Sequence, residues 1–305
     1  MIDILLSTYN GEKFLKEQLD SLLQQTYQNY KIIIRDDGSK DTTIEILNTY
    51  KEKYIEKILL IDGHGRNLGS TNSFFELLHH SDSELVMFCD QDDVWYKDKL
   101  KTFFDFYTNH CSNKQLPILI HSAAEVVNEN LDLMKEETRC FNIIKCGMEK
   151  DLKWQIFQND VTGCTTMINS VMRDLVKNID FTKNRVIQHD WFFSLIAYLN
   201  STKFYYSEPT IKYRQHSNNV ISAKRISLIQ RIKRKLKFGF VYPYYEQIKT
   251  VLQCHFSVDN KQICILEEFS NLQNKKKIYR VFWHIKHNFF RKGNLFYRIY
   301  QLLAC

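Results

Sequence analysis

The sequence predicts an α/β fold: a doubly wound, mostly parallel central sheet flanked by helices, with a basic helical extension behind it. Three observations predict it. Short apolar runs alternate with amphipathic segments four times in about 110 residues, the pattern of consecutive strand-helix units. Each apolar run stops at a polar cluster: Ser7-Thr8-Tyr9-Asn10, Asp36-Asp37-Gly38-Ser39, the loop through Asn67, and Asp90-Gln91-Asp92-Asp93. Finally, the net charge of +7 is unevenly distributed, because residues 224–305 carry 17 Lys/Arg against 4 Asp/Glu and residues 1–223 carry 25 against 31. The chain therefore divides at about residue 223.

Taken in order, Ile2 to Ser7 reads as a buried strand, and Gly11 to Gln24 as a helix with Phe14, Leu15, Leu19, Leu22 and Leu23 on one face. Tyr30 to Arg35 is a second strand that turns at Gly38 and restarts as a helix near Asp41, a residue able to cap it. Ile58 to Ile61 is a third, followed by the loop Gly63 to Gly69 and the helix Thr71 to His79. Leu85 to Cys89 is a fourth, apolar on both faces as expected of a central parallel strand. A helix begins near Lys97, with Asp93 available as its cap. Ile118 to Ala123 is a further strand, from which His121 to Glu125 lead out. Residues 128–150 read as a loop, residues 163–167 as a strand, and residues 170–177 as a helix.

Composition limits what such a chain can do. With 44% hydrophobic and 25% charged residues and only 3 Pro and 9 Gly, it can bury a real core. The 8 Cys are scattered without a CxxC pair or zinc-finger spacing, so they are expected as reduced core residues rather than a structural zinc site. No run reaches the roughly 18 apolar residues of a membrane span, and no secretory signal is legible, which implies a cytoplasmic location. The mildly acidic front part argues against nucleic acid as a substrate.

The polar clusters carry the chemistry. Open α/β sheets bind ligands in the crevice outside the carboxyl ends of their strands, so Tyr9, Asp37, Asn67 and Asp92 are expected around one cavity. Three carboxylates within four residues repel one another unless a hard cation such as Mg²⁺ or Mn²⁺ takes their oxygens. Neither GxGxxG after the first strand nor GxxxxGK[ST] occurs, so any nucleotide is held otherwise. Two later stretches are also dense in chemistry: Gln188-His189-Asp190-Trp191, a carboxylate starting a helix beside an aromatic residue, and Tyr213-Arg214-Gln215-His216-Ser217-Asn218-Asn219.

The set STYNG, DDGS, NLG, DQDDVW, HDW and YRQHSNN resembles the inverting glycosyltransferases of family 2, which have the GT-A fold, over about residues 1–223. The resemblance implies a nucleotide-sugar donor and a role for each motif. Ser7, Tyr9, Asp37, Asn67 and Asp90 would bind the nucleotide, with Tyr9 stacking on the base and Asp37 bonding to it. Asp92 would be the principal metal ligand, joined by His216, and Asp190 the base that deprotonates the acceptor hydroxyl. Arg214, His189, Trp191 and Trp95 would line the diphosphate or acceptor side. His-Asp stands where the family usually has an acidic pair, which leaves His189 without a settled role. Processive synthases carry QxxRW and transmembrane helices, so their absence implies one sugar per encounter. The spelling is most similar to bacterial rhamnosyltransferases of capsule, O-antigen or cell-wall polysaccharide assembly, suggesting dTDP-L-rhamnose, with UDP-sugars as the other donor class.

In the extension, Leu228 or Ile229, Ile232 and Leu236 fall on one helical face among basic residues, and Ile278, Phe282, Ile285 and Phe289 repeat the scheme. Such helices can lie on an anionic leaflet, each cation contributing about 1 kcal/mol, where polyprenyl-diphosphate-linked acceptors reside. They can equally pack on the catalytic domain or on a second subunit of a homo-oligomer. Two other functions fit parts of the sequence: a sugar nucleotidyltransferase, which would need a Gly-rich basic loop that STYNG is not, and a basic-tailed membrane or nucleic-acid binding protein on a non-catalytic scaffold.

Overall fold

The computed structural model describes residues 1–134, 151–216, 242–254, 260–290 and 301–302. Eight strands form one mixed, mostly parallel sheet: β1 (Ile2–Thr8), β2 (Tyr30–Asp36), β3 (Ile58–Ile61), β4 (Leu85–Cys89), β5 (Val94–Trp95), β6 (Leu119–Val127), β7 (Thr166–Asn169) and β8 (Lys203–Arg214). Their order is β3-β2-β1-β4-β7-β6-β8-β5. The first four are parallel, as the repeated strand-helix units require, whereas β7 runs antiparallel to both β4 and β6. This is the GT-A architecture.

Alternation along the strands builds a core on each side of the sheet. Ile4, Leu6 and Met87 pack with α1 (Leu15–Leu23), α2 (Thr43–Lys53) and α4 (Lys99–His110). Leu5, Val86 and Phe88 pack with α3 (Ser70–His79), α5 (Leu152–Phe157), α6 (Ser170–Val176) and α7 (His189–Leu199). Each of these fully buried apolar side chains stabilises the fold by about 1.5–3 kcal/mol before entropy is counted.

Several boundaries differ from expectation for reasons the contacts make plain. Helix α1 is regular from Leu15, whose amide donates to Gly11 O, while the preceding Gly11 and Glu12 amides are bound by Thr43 Oγ1 and Asp41 Oδ2 beside α2. His121 to Glu125 do not lead out of a strand but lie within β6, which continues beside β8 as far as Val127, with irregularities at Ala123. Residues 163–165 form a single 3₁₀ turn, and the strand begins only at Thr166. Asp93 does not cap a helix: it is fully buried, and α4 begins six residues later.

Three helices of the extension are described: α8 (Tyr242–Val251), α9 (Asn260–Asn271) and α10 (Lys277–Lys286). They pack on α5 and α7, with Tyr245, Ile248, Leu266, Phe269 and Trp283 joining Phe157 and Phe192 in one core. Phe289, expected on an outer face with Ile278, is instead 2% exposed and packs against Phe269 and Phe157. Gln247 of α8 accepts a hydrogen bond from the Ile187 amide (3.0 Å), just before α7. The basic run at 231–237 and Asn218-Asn219 lie outside the described residues. Among the described residues no helix is long and apolar enough to cross a membrane.

Candidate active site

The polar ends of β1, β2 and β4 lie side by side, since Thr8 is paired with Asp36 and Leu6 with Cys89. At the end of β1, Ser7 Oγ donates to Ser73 Oγ of α3 (2.7 Å). The Tyr9 side chain is half exposed, while its backbone is bracketed by one amide: Gln91 Oε1 accepts from Tyr9 N (2.8 Å) and Gln91 Nε2 donates to Tyr9 O (3.0 Å). The motif expected to receive a base is thereby fastened to the acidic loop.

The two aspartates ending β2 divide their work. Asp36 accepts from Thr8 Oγ1 and from the Gly38 and Ser39 amides, which shapes the turn that Gly38 completes at φ +87°. Asp37 is buried and accepts from Arg35, from Leu68 N (2.7 Å) and from Gly69 N (2.8 Å). It pins the loop on which Asn67 stands exposed, so the two predicted nucleotide residues do share one edge.

The acidic loop after β4 is held from several directions. Strand β5 pairs with β8, bringing Arg214 and His216 against the loop. The Arg214 amide donates to Asp93 Oδ1 (3.0 Å), Arg214 Nε donates to Asp92 O (2.8 Å), and His216 Nε2 lies 2.7 Å from Asp92 Oδ2. Asp90 is pushed up to about 7 by burial first, then by the charges of Asp92 and Asp190. Asp93 is raised well above the usual carboxylate range by burial first, then by the charges of Asp92 and Asp90, and its Oδ2 has no hydrogen-bond partner. Clustered carboxylates short of counter-charge, with an imidazole beside them, are a donor set that fits a hard divalent cation.

Asp190 sits in the first turn of α7 and is 5% exposed. Its carboxylate accepts from Trp191 N (2.6 Å) and Gly163 N (3.0 Å). Burial outweighs these bonds and pushes its pKa up to about 7, within the range useful to a general base. Gly163 must be glycine here, because a Cβ would lie 2.7 Å from His189 Nε2. His189 is buried against Phe74 and Phe88, and burial lowers it to about 3, which favours the neutral imidazole.

Three residues expected on the diphosphate or acceptor side point elsewhere. Trp191 is buried, its Nε1 donating to Gln155 O (2.7 Å). Trp95 is 2% exposed beneath Lys99 Nζ (3.8 Å from the ring centre). Arg214 is buried over the Phe14 ring, with its guanidinium donating to Asp92 O, Glu129 O and the Glu17 carboxylate. It braces the acidic loop from behind. Replacing Arg214 with Gln is therefore expected to cost about 2–3 kcal/mol, less than a wholly buried pair because Glu17 keeps contact with water. It should also weaken the metal dependence of nucleotide binding; denaturant unfolding and melting-temperature titrations with Mn²⁺ measure the two effects.

Sequence reasoning missed Gln91, Lys99 and Cys164. Lys99 is 1% exposed, donates to Cys164 O (2.5 Å), and is lowered to about 8 by burial despite the acids nearby. Its placement was readable, since Lys99, Phe103 and Tyr107 share the buried face of α4. The Cys164 thiol stands with Asp90 and Asp93, their ligand atoms within 4.8 Å of one another. Of the described cysteines, Cys89, Cys111, Cys164 and Cys254 are buried and Cys264 is exposed, all as free thiols.

This strand order, with an acidic loop facing a buried carboxylate at a helix start, can be set beside known proteins. A family model described as glycosyl transferase family 2 matches residues 3–179. The chain belongs to that family. Within it, the chain is 30% identical over 237 residues to a dTDP-rhamnosyl transferase, RfbG, of Shigella flexneri, covering 75% of this chain and 77% of the relative. It is 24% identical over 248 residues to a putative teichuronic acid biosynthesis glycosyltransferase, TuaG, of Bacillus subtilis, covering 81% and 89%. Solved structures of this fold include S. aureus TarS 1–349 in complex with UDP-GlcNAc (TM-score 0.58, 18% identity, 99% of this chain and 79% of that one). Another is the mannosyltransferase PcManGT of Pyrobaculum calidifontis in complex with GDP-Man and Mn²⁺ (TM-score 0.53, 13% identity, 99% and 85%). At those identities the likeness concerns the fold. Family membership sets the nucleotidyltransferase alternative aside.

Proposed function

We propose that this family 2 glycosyltransferase moves one sugar, L-rhamnose from dTDP-L-rhamnose, onto a glycan or polyprenyl-diphosphate-linked acceptor of a bacterial surface polysaccharide, with inversion. The observation that carries the reading is the meeting of Asp190 with the acidic loop: its carboxylate accepts from Gly163 N, and the thiol of the next residue, Cys164, stands with Asp90 and Asp93. Asp190 takes the proton from an acceptor hydroxyl. That oxygen attacks the anomeric carbon from one face as the bond to the diphosphate breaks on the other, and the diphosphate leaves with the bonding pair. The half-exposed Tyr9 ring, with Asp37 and Asn67 at the same edge, suits a nucleobase. Asp90, Asp92 and His216 would hold Mg²⁺ or Mn²⁺, which when bound neutralises charge on the departing diphosphate. The RfbG relative supports rhamnose as the sugar, and the putative teichuronic acid biosynthesis relative supports a surface polysaccharide as the product.

A panel of dTDP- and UDP-sugars incubated with the protein and Mn²⁺ tests this through release of nucleoside diphosphate. dTDP-L-rhamnose should be consumed fastest, and the anomeric configuration of the product read by NMR should be opposite to the donor's. Preference for a UDP-sugar would overturn the donor assignment, and retained configuration would overturn the displacement.

A further inference from the structure

We infer that the outward face of α10 is a docking surface for an anionic lipid leaflet. Helix α10 is amphipathic in an unusual sense, since both its faces carry apolar residues. Trp283 and His284 are buried, and Phe289 beyond its end is buried with them, which fixes the helix against the core. The opposite face then has only one direction to point. Ile278 is 80% exposed, Phe282 63% and Ile285 56%, and at about 100° per residue these three fall within one narrow stripe. Among the described residues, α10 carries four exposed large hydrophobics, counting Tyr279, and no other helix carries more than one. Leaving them in water is unfavourable, so a covering partner is expected.

Charge identifies that partner. From Lys275 to Lys286 the chain has Lys275, Lys276, Lys277, Arg280 and Lys286 and no acidic residue. By helical angle, Lys277 and Lys286 lie on either side of the apolar stripe. Glu268 of α9 is engaged by Trp283, accepting from its Nε1 (2.9 Å). A wedge of Ile and Phe flanked by long cationic side chains matches a leaflet: acyl chains receive the wedge, and headgroup phosphates receive the ammonium groups. A second copy fits poorly, because a twofold contact through this face would set lysines against lysines. The surface does not depend on the proposed donor or acceptor, as lipid binding is measured without turnover.

The test is flotation of the full chain with phosphatidylcholine vesicles, with and without about one third phosphatidylglycerol. The wild type should float with the anionic vesicles and far less with the neutral ones. Phe282→Ser combined with Ile285→Ser should lower the partition coefficient about tenfold or more, with unchanged melting temperature and unchanged donor hydrolysis. Lys277→Gln with Lys286→Gln should weaken binding to anionic vesicles only, an effect that salt removes. Flotation of the Ser variant equal to wild type, or no flotation of the wild type, overturns the inference. So does a wild-type dimer that the Ser variant dissolves, which would make this face a protein interface.

Discussion

Asp190→Asn is expected to lower transfer by about three orders of magnitude while leaving nucleotide-sugar binding nearly intact. The amide keeps the size of the carboxylate and one oxygen that can accept from Gly163 N, so the start of α7 should hold its place. What it loses is the ability to take a proton. Titrating the nucleotide by calorimetry or thermal shift, beside turnover of the same preparation, separates the two effects; appreciable turnover in the Asn variant would remove Asp190 from the mechanism. The same carboxylate sets the pH dependence. Its pKa is raised to about 7 by burial, and only the ionised form accepts a proton. Activity should therefore rise as pH increases through about 7 and level off above it, and the Asn variant's residual activity should lack that step.

Asp92→Ala is expected to have an effect of similar size on transfer, about a thousandfold, but through donor binding. Asp92 lies 2.7 Å from His216, and its carbonyl is held by Arg214, so it is the fixed point of the acidic loop. Removing its carboxylate leaves Asp90 and Asp93 with too few donors for a divalent ion. The melting temperature of the variant should become insensitive to Mn²⁺ added with nucleotide, whereas that of the wild type should rise. A variant that still responds would show that the ion is held without Asp92.

The contrast between where these aspartates lie and where Arg214, Trp95 and Trp191 lie shows what sequence could convey. Strands β1 to β4 and their polar ends were legible because the alternation of apolar and polar residues is local and repeats. Asp190 was legible because it starts a helix in a recognisable motif. Arg214, Trp95 and Trp191 were not, because whether an arginine or a tryptophan faces a crevice or the interior depends on partners distant in sequence. Arg214 meets Glu17, 197 positions away, and Asp92, 122 positions away. Strand β5 has only two residues and exists because β8 supplies its hydrogen bonds, so nothing in Val94-Trp95 announces it. His189 illustrates the remaining difficulty: beside a catalytic candidate it invites a chemical role, and only its packing on Phe74 and Phe88 reveals a spacer.

The bond from Gln247 to the Ile187 backbone bears on how such enzymes diversify. A helix that follows these motifs in the chain supports the segment leading into Asp190, and its apolar residues interlock with those behind the sheet. Recombination that exchanged the C-terminal part for that of a distant cousin would therefore disturb the chemistry as well as the attachment. The strand-helix part and helices α8 to α10 are expected to have been inherited together.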